Sequence, residues 1–168
     1  MRLDLRTVIN VPGSKIPFEF EPQIEDLAMG SVKEISAPHA FGEVRNEAGI
    51  LTLSGTLEAD TVCVCARCLE ETAQRFTISV EAGLAEELQD EENDVNDNVF
   101  LLDGGFADLD EIFATAFVLN TEQRFLCSED CKGLCSKCGK NLNEGPCDCK
   151  DEGDPRLAVL RQLLENED

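Results

Sequence analysis

The chain has 168 residues, with 14 Lys plus Arg against 35 Asp plus Glu for a formal net charge of −21, and it contains nine Cys, nine Phe, a single His and no Trp or Tyr. That length suits one domain, or one domain with a small appendage, able to bury roughly 70% of the surface its unfolded form exposes. The charge opposes non-specific binding to nucleic acid or anionic lipid and favours basic partners.

No window approaches the run of about 18 apolar residues that a membrane span needs, and Met1-Arg2-Leu3-Asp4-Leu5-Arg6 carries no apolar signal run. The expectation is a soluble, cytoplasmic protein. In that compartment clustered cysteines argue for metal over disulfides, and an odd number of them cannot pair completely.

In chain order, Leu3 and Leu5 alternate with Asp4 and Arg6 and predict a first strand. After the turn Pro12-Gly13-Ser14-Lys15, Ile16, Phe18 and Phe20 predict a second strand, which Pro17 confines to an edge. Ile24, Leu27 and Ala28 have helical spacing over a short stretch. His39 follows Pro38 in a loop-like stretch with no neighbouring ligand partner and is assigned no role. From Ala40 an antiparallel meander is expected. Phe41 and Val44 lead into a turn at Asn46-Glu47-Ala48-Gly49. Ile50, Leu51, Leu53, Leu57, Val62 and Val64 mark a long strand bent at Gly55. Phe76, Ile78, Val80 and Leu84 return on the other side of a compact turn.

That turn carries Cys63-Val64-Cys65-Ala66-Arg67-Cys68-Leu69. Cys65-x-x-Cys68 has knuckle spacing and admits three readings: half of a zinc site shared with Cys127 and Cys131, a redox pair, or a packed turn. Strands on both sides speak against a redox motif of the thioredoxin kind, which begins a helix. Residues 86–98 form an acidic stretch too polar to order itself. It serves either for solubility or as a docking segment for a basic partner. Val99 to Leu102 predicts a short strand. Asp108 and Glu111 form a capping box for a helix with Leu109, Ile112, Phe113, Ala116 and Phe117 on its apolar side. Asp154-Pro155 opens a last helix bearing Leu157, Leu160, Leu163 and Leu164.

The densest chemistry lies between Cys127 and Cys149. Cys135-x-x-Cys138-Gly139 is a metal knuckle: two thiolates must return to one ion, and a glycine after the second permits the tight turn. Cys147 and Cys149, after Gly145-Pro146, supply the expected second pair, with Cys131 or Cys127 as replacements because a one-residue spacer is tight. Thiolates in tetrahedral geometry favour zinc, or less often iron. Four lysines, Lys132, Lys137, Lys140 and Lys150, fall in or just after this ribbon, whereas Phe76 to Gln123 has no Lys, Arg or His.

Taken together, Cys65-Ala66-Arg67-Cys68-Leu69, Leu126-Cys127, Cys131-Lys132-Gly133-Leu134-Cys135, Cys138-Gly139, Asn141-Leu142-Asn143, Cys147-x-Cys149 and Asp154-Pro155-Arg156-Leu157 resemble the YceD family, linked to accumulation of large-subunit ribosomal RNA. The resemblance implies a role in ribosome biogenesis without catalysis, and a characteristic Cys65–Leu69 turn. That turn persists in members without the C-terminal cysteines, which argues against Cys127 and Cys131 as its partners. The expected architecture is α+β: an antiparallel meander or partly closed barrel with one packed helix over residues 1–122, then a zinc ribbon and terminal helix over 123–168. The expected partner is large-subunit ribosomal RNA, met by Arg67, Lys132, Lys137 and Lys140, or a basic ribosomal protein. No membrane and no small-molecule substrate are expected. A thiol redox or metal-handling protein is the alternative.

Overall fold

The computed structural model describes residues 1–87, 98–122 and 124–149. The terminal helix expected from Asp154 and nearly all of the acidic stretch therefore lie outside the described residues. Seven strands and one α-helix are present among them: β1 (Arg2–Asp4), β2 (Lys15–Phe20), β3 (Val32–Glu47), β4 (Ile50–Val64), β5 (Glu71–Ala85), β6 (Val99–Leu101), β7 (Phe106–Asp108) and α1 (Leu109–Asn120), with a single 3-10 turn at Glu25–Leu27.

Five strands form one sheet in the order β2-β3-β4-β5-β6, and β1 pairs with β7 in a separate two-stranded ribbon. The meander is antiparallel from β2 to β5, but β6 runs parallel to β5, so the sheet is mixed. Its edge strands β2 and β6 do not pair with each other, so it stays open and is not a barrel. β2 occupies an edge, as Pro17 demands.

The β3–β4 connection is a two-residue loop: Glu47 pairs with Ile50, leaving Ala48 and Gly49 with φ of 56° and 95°. Both positive values are what a tight hairpin with right-twisted strands requires. Asn46, 1% exposed, secures the loop. Its amide donates to Val8 O and Ile9 O at 2.7 Å, and its Oδ1 accepts from Gly49 N at 2.8 Å.

Strand β3 begins earlier than its hydrophobic pattern suggests. Val32 to His39 pairs with β4 through register shifts between Val32 and Glu34 and between Ser36 and His39, where Ala37 has a φ of 46°. A bulge changes which side successive residues face, so strict alternation fails there. His39 is thus a strand residue opposite Glu58, with its Nε2 3.0 Å from Glu19 Oε1.

On β4 the inward side runs Leu51, Leu53, Leu57, Ala59, Thr61 and Cys63, while Ile50 is 68% exposed and Val62 and Val64 are half-buried on the outer face. Gly42 and Gly55 face each other across β3 and β4. A Cβ at either would lie within about 3 Å of the Phe18 ring tip, and one at Gly55 equally close to Phe113. The paired glycines thus leave a slot that those rings fill. Phe113 packs edge-on to Phe18 and Phe20, each at 5.7 Å, and Phe117 to Phe76 at 6.4 Å. These contacts seat the buried stripe Leu109, Ile112, Phe113 and Phe117 of α1 on the sheet. Asp108 caps the helix by accepting from Asp110 N.

Candidate metal centres

Two four-residue turns carry the site, and they have the same construction. In Cys65-Ala66-Arg67-Cys68-Leu69, Leu69 N donates to Cys65 O at 2.9 Å and Cys65 N to Glu70 O at 2.9 Å. In Cys135-Ser136-Lys137-Cys138-Gly139, Gly139 N donates to Cys135 O at 2.9 Å and Cys135 N to Lys140 O at 2.8 Å. The residue after the second cysteine is left-handed in both, with φ of 61° at Leu69 and 72° at Gly139. Each turn therefore presents two sulfurs to one point.

Each knuckle receives a second pair. Cys65, Cys68, Cys127 and Cys131 have all four sulfurs within 4.8 Å of one another, and so do Cys135, Cys138, Cys147 and Cys149. Cys127 and Cys131 thus belong beside the strand turn and not in the ribbon's own cluster, and Cys147-x-Cys149 serves the second knuckle despite its short spacer. In the first cluster Cys65 Sγ lies 3.8 Å from Cys131 Sγ and Cys68 Sγ 3.5 Å from Cys127 Sγ. Sulfurs about 2.3 Å from a tetrahedral zinc stand about 3.8 Å apart, so the spacing fits that ion. All nine cysteines are free.

The electrostatics point the same way. At Cys65, burial favours the thiol, but backbone N–H groups of Cys127, Cys68 and Arg67 outweigh it and bring the pKa down to about 6. At Cys68 the Glu70 N–H favours the thiolate, yet burial and the Cys65, Cys127 and Cys131 sulfurs push it up to about 12. In the second cluster the N–H groups of Cys138 and Lys137 lower Cys135 to about 6, while the Cys138 sulfur, burial and Cys135 raise Cys149 to about 12. Each knuckle is built to hold a thiolate, but crowded sulfurs resist ionising together. A divalent cation removes that conflict.

The clusters differ in exposure. Cys65, Cys68 and Cys131 are buried and pack with Leu126, Cys127 and Leu134, whereas Cys138 and Cys149 are exposed. The inner cluster also joins the two halves of the chain. Ala66 N donates to Phe125 O at 2.9 Å and Leu134 N to Arg67 O at 3.2 Å. Arg67 Nη1 donates to Glu129 O at 3.0 Å and to Cys131 O at 2.9 Å, so this guanidinium ties the ribbon to the turn. The inner centre takes Cys65 and Cys68 from before residue 122 and Cys127 and Cys131 from after it.

Two asparagines connect the clusters. Asn143 donates its amide to Cys131 Sγ at 3.3 Å and accepts Lys132 N at 2.8 Å, and Asn141 donates to Glu70 Oε1 at 2.9 Å. Sequence reasoning assigned them no role, although their place between Cys138 and Cys147 was a usable signal. Lys132, Lys137 and Lys140 are all exposed, and Lys140 Nζ donates to Pro146 O at 2.8 Å. Cys63 joins neither cluster: it is fully buried in the main core, 3.7 Å from Thr61 Oγ1.

The fold and site define a β-sheet protein with a cysteine ribbon fastened to one of its hairpin turns by one four-cysteine cluster and folded on itself around a second. The chain belongs to the YceD family: the model described as large ribosomal RNA subunit accumulation protein YceD matches residues 53–164, which include all eight clustered cysteines. Uncharacterised proteins of Mycobacterium tuberculosis (strain H37Rv) and Mycobacterium bovis are each 32% identical over 117 residues, covering 69% of this chain and 56% of theirs. The chain thus spans about half the length of these curated relatives. The chloroplastic large ribosomal RNA subunit accumulation protein YCED homolog 1 of Arabidopsis thaliana is 43% identical over 47 residues, 26% of this chain and 15% of that protein. No solved structure matches the chain. Among the described residues no helix is long and apolar enough to cross a membrane.

Proposed function

We propose that this protein is a non-catalytic, cytoplasmic ribosome-biogenesis factor that supports accumulation of large-subunit ribosomal RNA, with zinc as its structural cofactor. The observation that carries the structural half is the closure of both centres: eight cysteines divide into two sets of four, which leaves no coordination position for substrate. Zinc, when bound, supplies cross-linking of a polar segment that has little apolar surface to bury. The ribosomal half rests on the family. A thiol redox role finds less support, because the remaining cysteine, Cys63, is fully buried and the others sit in ligand geometry.

Of the two partner classes, charge favours a basic ribosomal protein over RNA. Between residues 124 and 149, Arg124, Lys132, Lys137 and Lys140 are matched by Glu129, Asp130, Glu144 and Asp148. Four thiolates around one Zn²⁺ add two negative charges per centre, so the loaded ribbon is net acidic and repels phosphate. Lys132, Lys137 and Lys140 remain the cations through which RNA contact would occur.

The test is complementation of cells lacking the gene, read as the ratio of large- to small-subunit ribosomal RNA. The wild-type chain restores the ratio and Cys68→Ser does not. A normal ratio in cells with no copy of the gene refutes the ribosomal reading.

A further inference from the structure

The two knuckles match bond for bond, yet one position differs in a way that folding does not explain. After the second cysteine both turns need a left-handed residue, and the ribbon knuckle uses Gly139. The strand knuckle uses Leu69, at a φ of 61°. A leucine there brings its Cβ against the following carbonyl, a strain that glycine escapes. Packing does not compensate: Leu69 is 62% exposed and takes no part in either apolar cluster. A strained apolar side chain that leaves most of its surface exposed in its own fold is held ready for a surface that it buries in another molecule.

Its surroundings specify that surface. Glu70 and Glu71 follow it directly and are exposed, and the Arg67–Glu129 bond brings Glu129 and Asp130 to the same turn. Glu71 pairs with Lys33, and Glu70 accepts Asn141. Beneath lies the inner centre, acidic when loaded. We propose that Leu69 and this acidic rim form a docking knob for a basic protein, whose apolar socket takes the leucine and whose Lys and Arg side chains meet the rim. Phosphate is repelled by the same rim, so nucleic acid does not fit here. This deepens the ribosomal reading by naming the partner's chemistry and the residue that meets it.

The experiment uses full-length, zinc-loaded protein with Leu69→Gly and Leu69→Asn, both residues that tolerate the left-handed conformation. Two probes are used: RNA-free proteins extracted from purified large ribosomal subunits, and protein-free large-subunit ribosomal RNA. Both variants should keep two zinc ions per chain and melt at or above the wild-type temperature. Their binding to the protein fraction should weaken at least tenfold.

The proposal is overturned by undiminished binding by the variants, by a lowered melting temperature or lost zinc that makes Leu69 a packing residue, or by wild-type binding to the RNA probe alone. Binding to neither probe overturns it as well. The ribosomal reading fails on a separate result, a normal ribosomal RNA ratio in cells lacking the chain.

Discussion

Removing one thiolate from each centre in turn separates their roles. Structural zinc contributes roughly 10–16 kcal/mol of apparent binding energy, so each of four ligands accounts for about 2.5–4 kcal/mol, or about 100- to 1000-fold in affinity. Cys68→Ser and Cys138→Ser should each lower zinc affinity by that factor at their own centre. The structural consequences should differ. The inner centre spans Cys65 and Cys68 on the strand turn and Cys127 and Cys131 on the ribbon. Without it, the ribbon is held to the sheet by bonds such as Ala66 N–Phe125 O, Leu134 N–Arg67 O and Arg67–Cys131 O, each worth about 1 kcal/mol net. Ordering a residue costs about as much as each such bond returns, so these few contacts cannot order the whole segment. Hydrogen-exchange mass spectrometry should therefore show Cys68→Ser losing protection over residues 124–134, and Cys138→Ser losing it only from 135 onward, with β4 and β5 protected in both. Chelator competition would give the zinc count in parallel. Equal loss over residues 124–134 in the two variants, or loss of β4 and β5 protection in Cys138→Ser, would refute the division into an inner anchor and an outer loop.

Three further outcomes follow from specific contacts. Asn143→Ala removes a donor to the Cys131 sulfur while lying in the outer loop, so zinc at the inner centre should weaken roughly tenfold in a chelator titration. An effect confined to the outer centre would contradict the coupling. Phe113→Ala empties the slot over Gly55 and two edge-on ring contacts, which should cost about 3–5 kcal/mol and lower the calorimetric melting temperature by roughly 10–15 °C without changing zinc content. Asn46→Ala leaves Val8 O, Ile9 O and Gly49 N without their buried partner, at a cost of about 2–3 kcal/mol in denaturant unfolding. A change below about 0.5 kcal/mol would mean that water replaces the amide.

Much of this protein is legible wherever the signal is local. Alternation with period two announces β2 and the hairpin of β4 and β5, because neighbouring side chains of a strand point to opposite faces. A cysteine, two residues and a cysteine announce each knuckle, because a reversal of four residues returns two sulfurs to one point whatever surrounds it. Asp108 announces the start of α1 in the same way. The reading weakened where alternation was broken by a bulge, as between Ser36 and His39, and where a strand's direction depended on a connection and not on its own residues, as with parallel β6.

Which cysteines share a centre was a tertiary decision. By spacing alone Cys127 and Cys131 suit either knuckle. The choice is made by the hairpin of β4 and β5, which carries Cys65 and Cys68 to its tip, and by the bonds from Ala66 to Phe125 and from Leu134 to Arg67 that lay the ribbon across it. The same docking commits the Arg67 guanidinium to backbone carbonyls. Sequence by itself determined that this chain has two Cys-x-x-Cys turns, one at a strand reversal and one in a cysteine-rich ribbon. Only the folded chain, by bringing residues some sixty positions apart within 4 Å, decided that one of those turns is the joint between its halves.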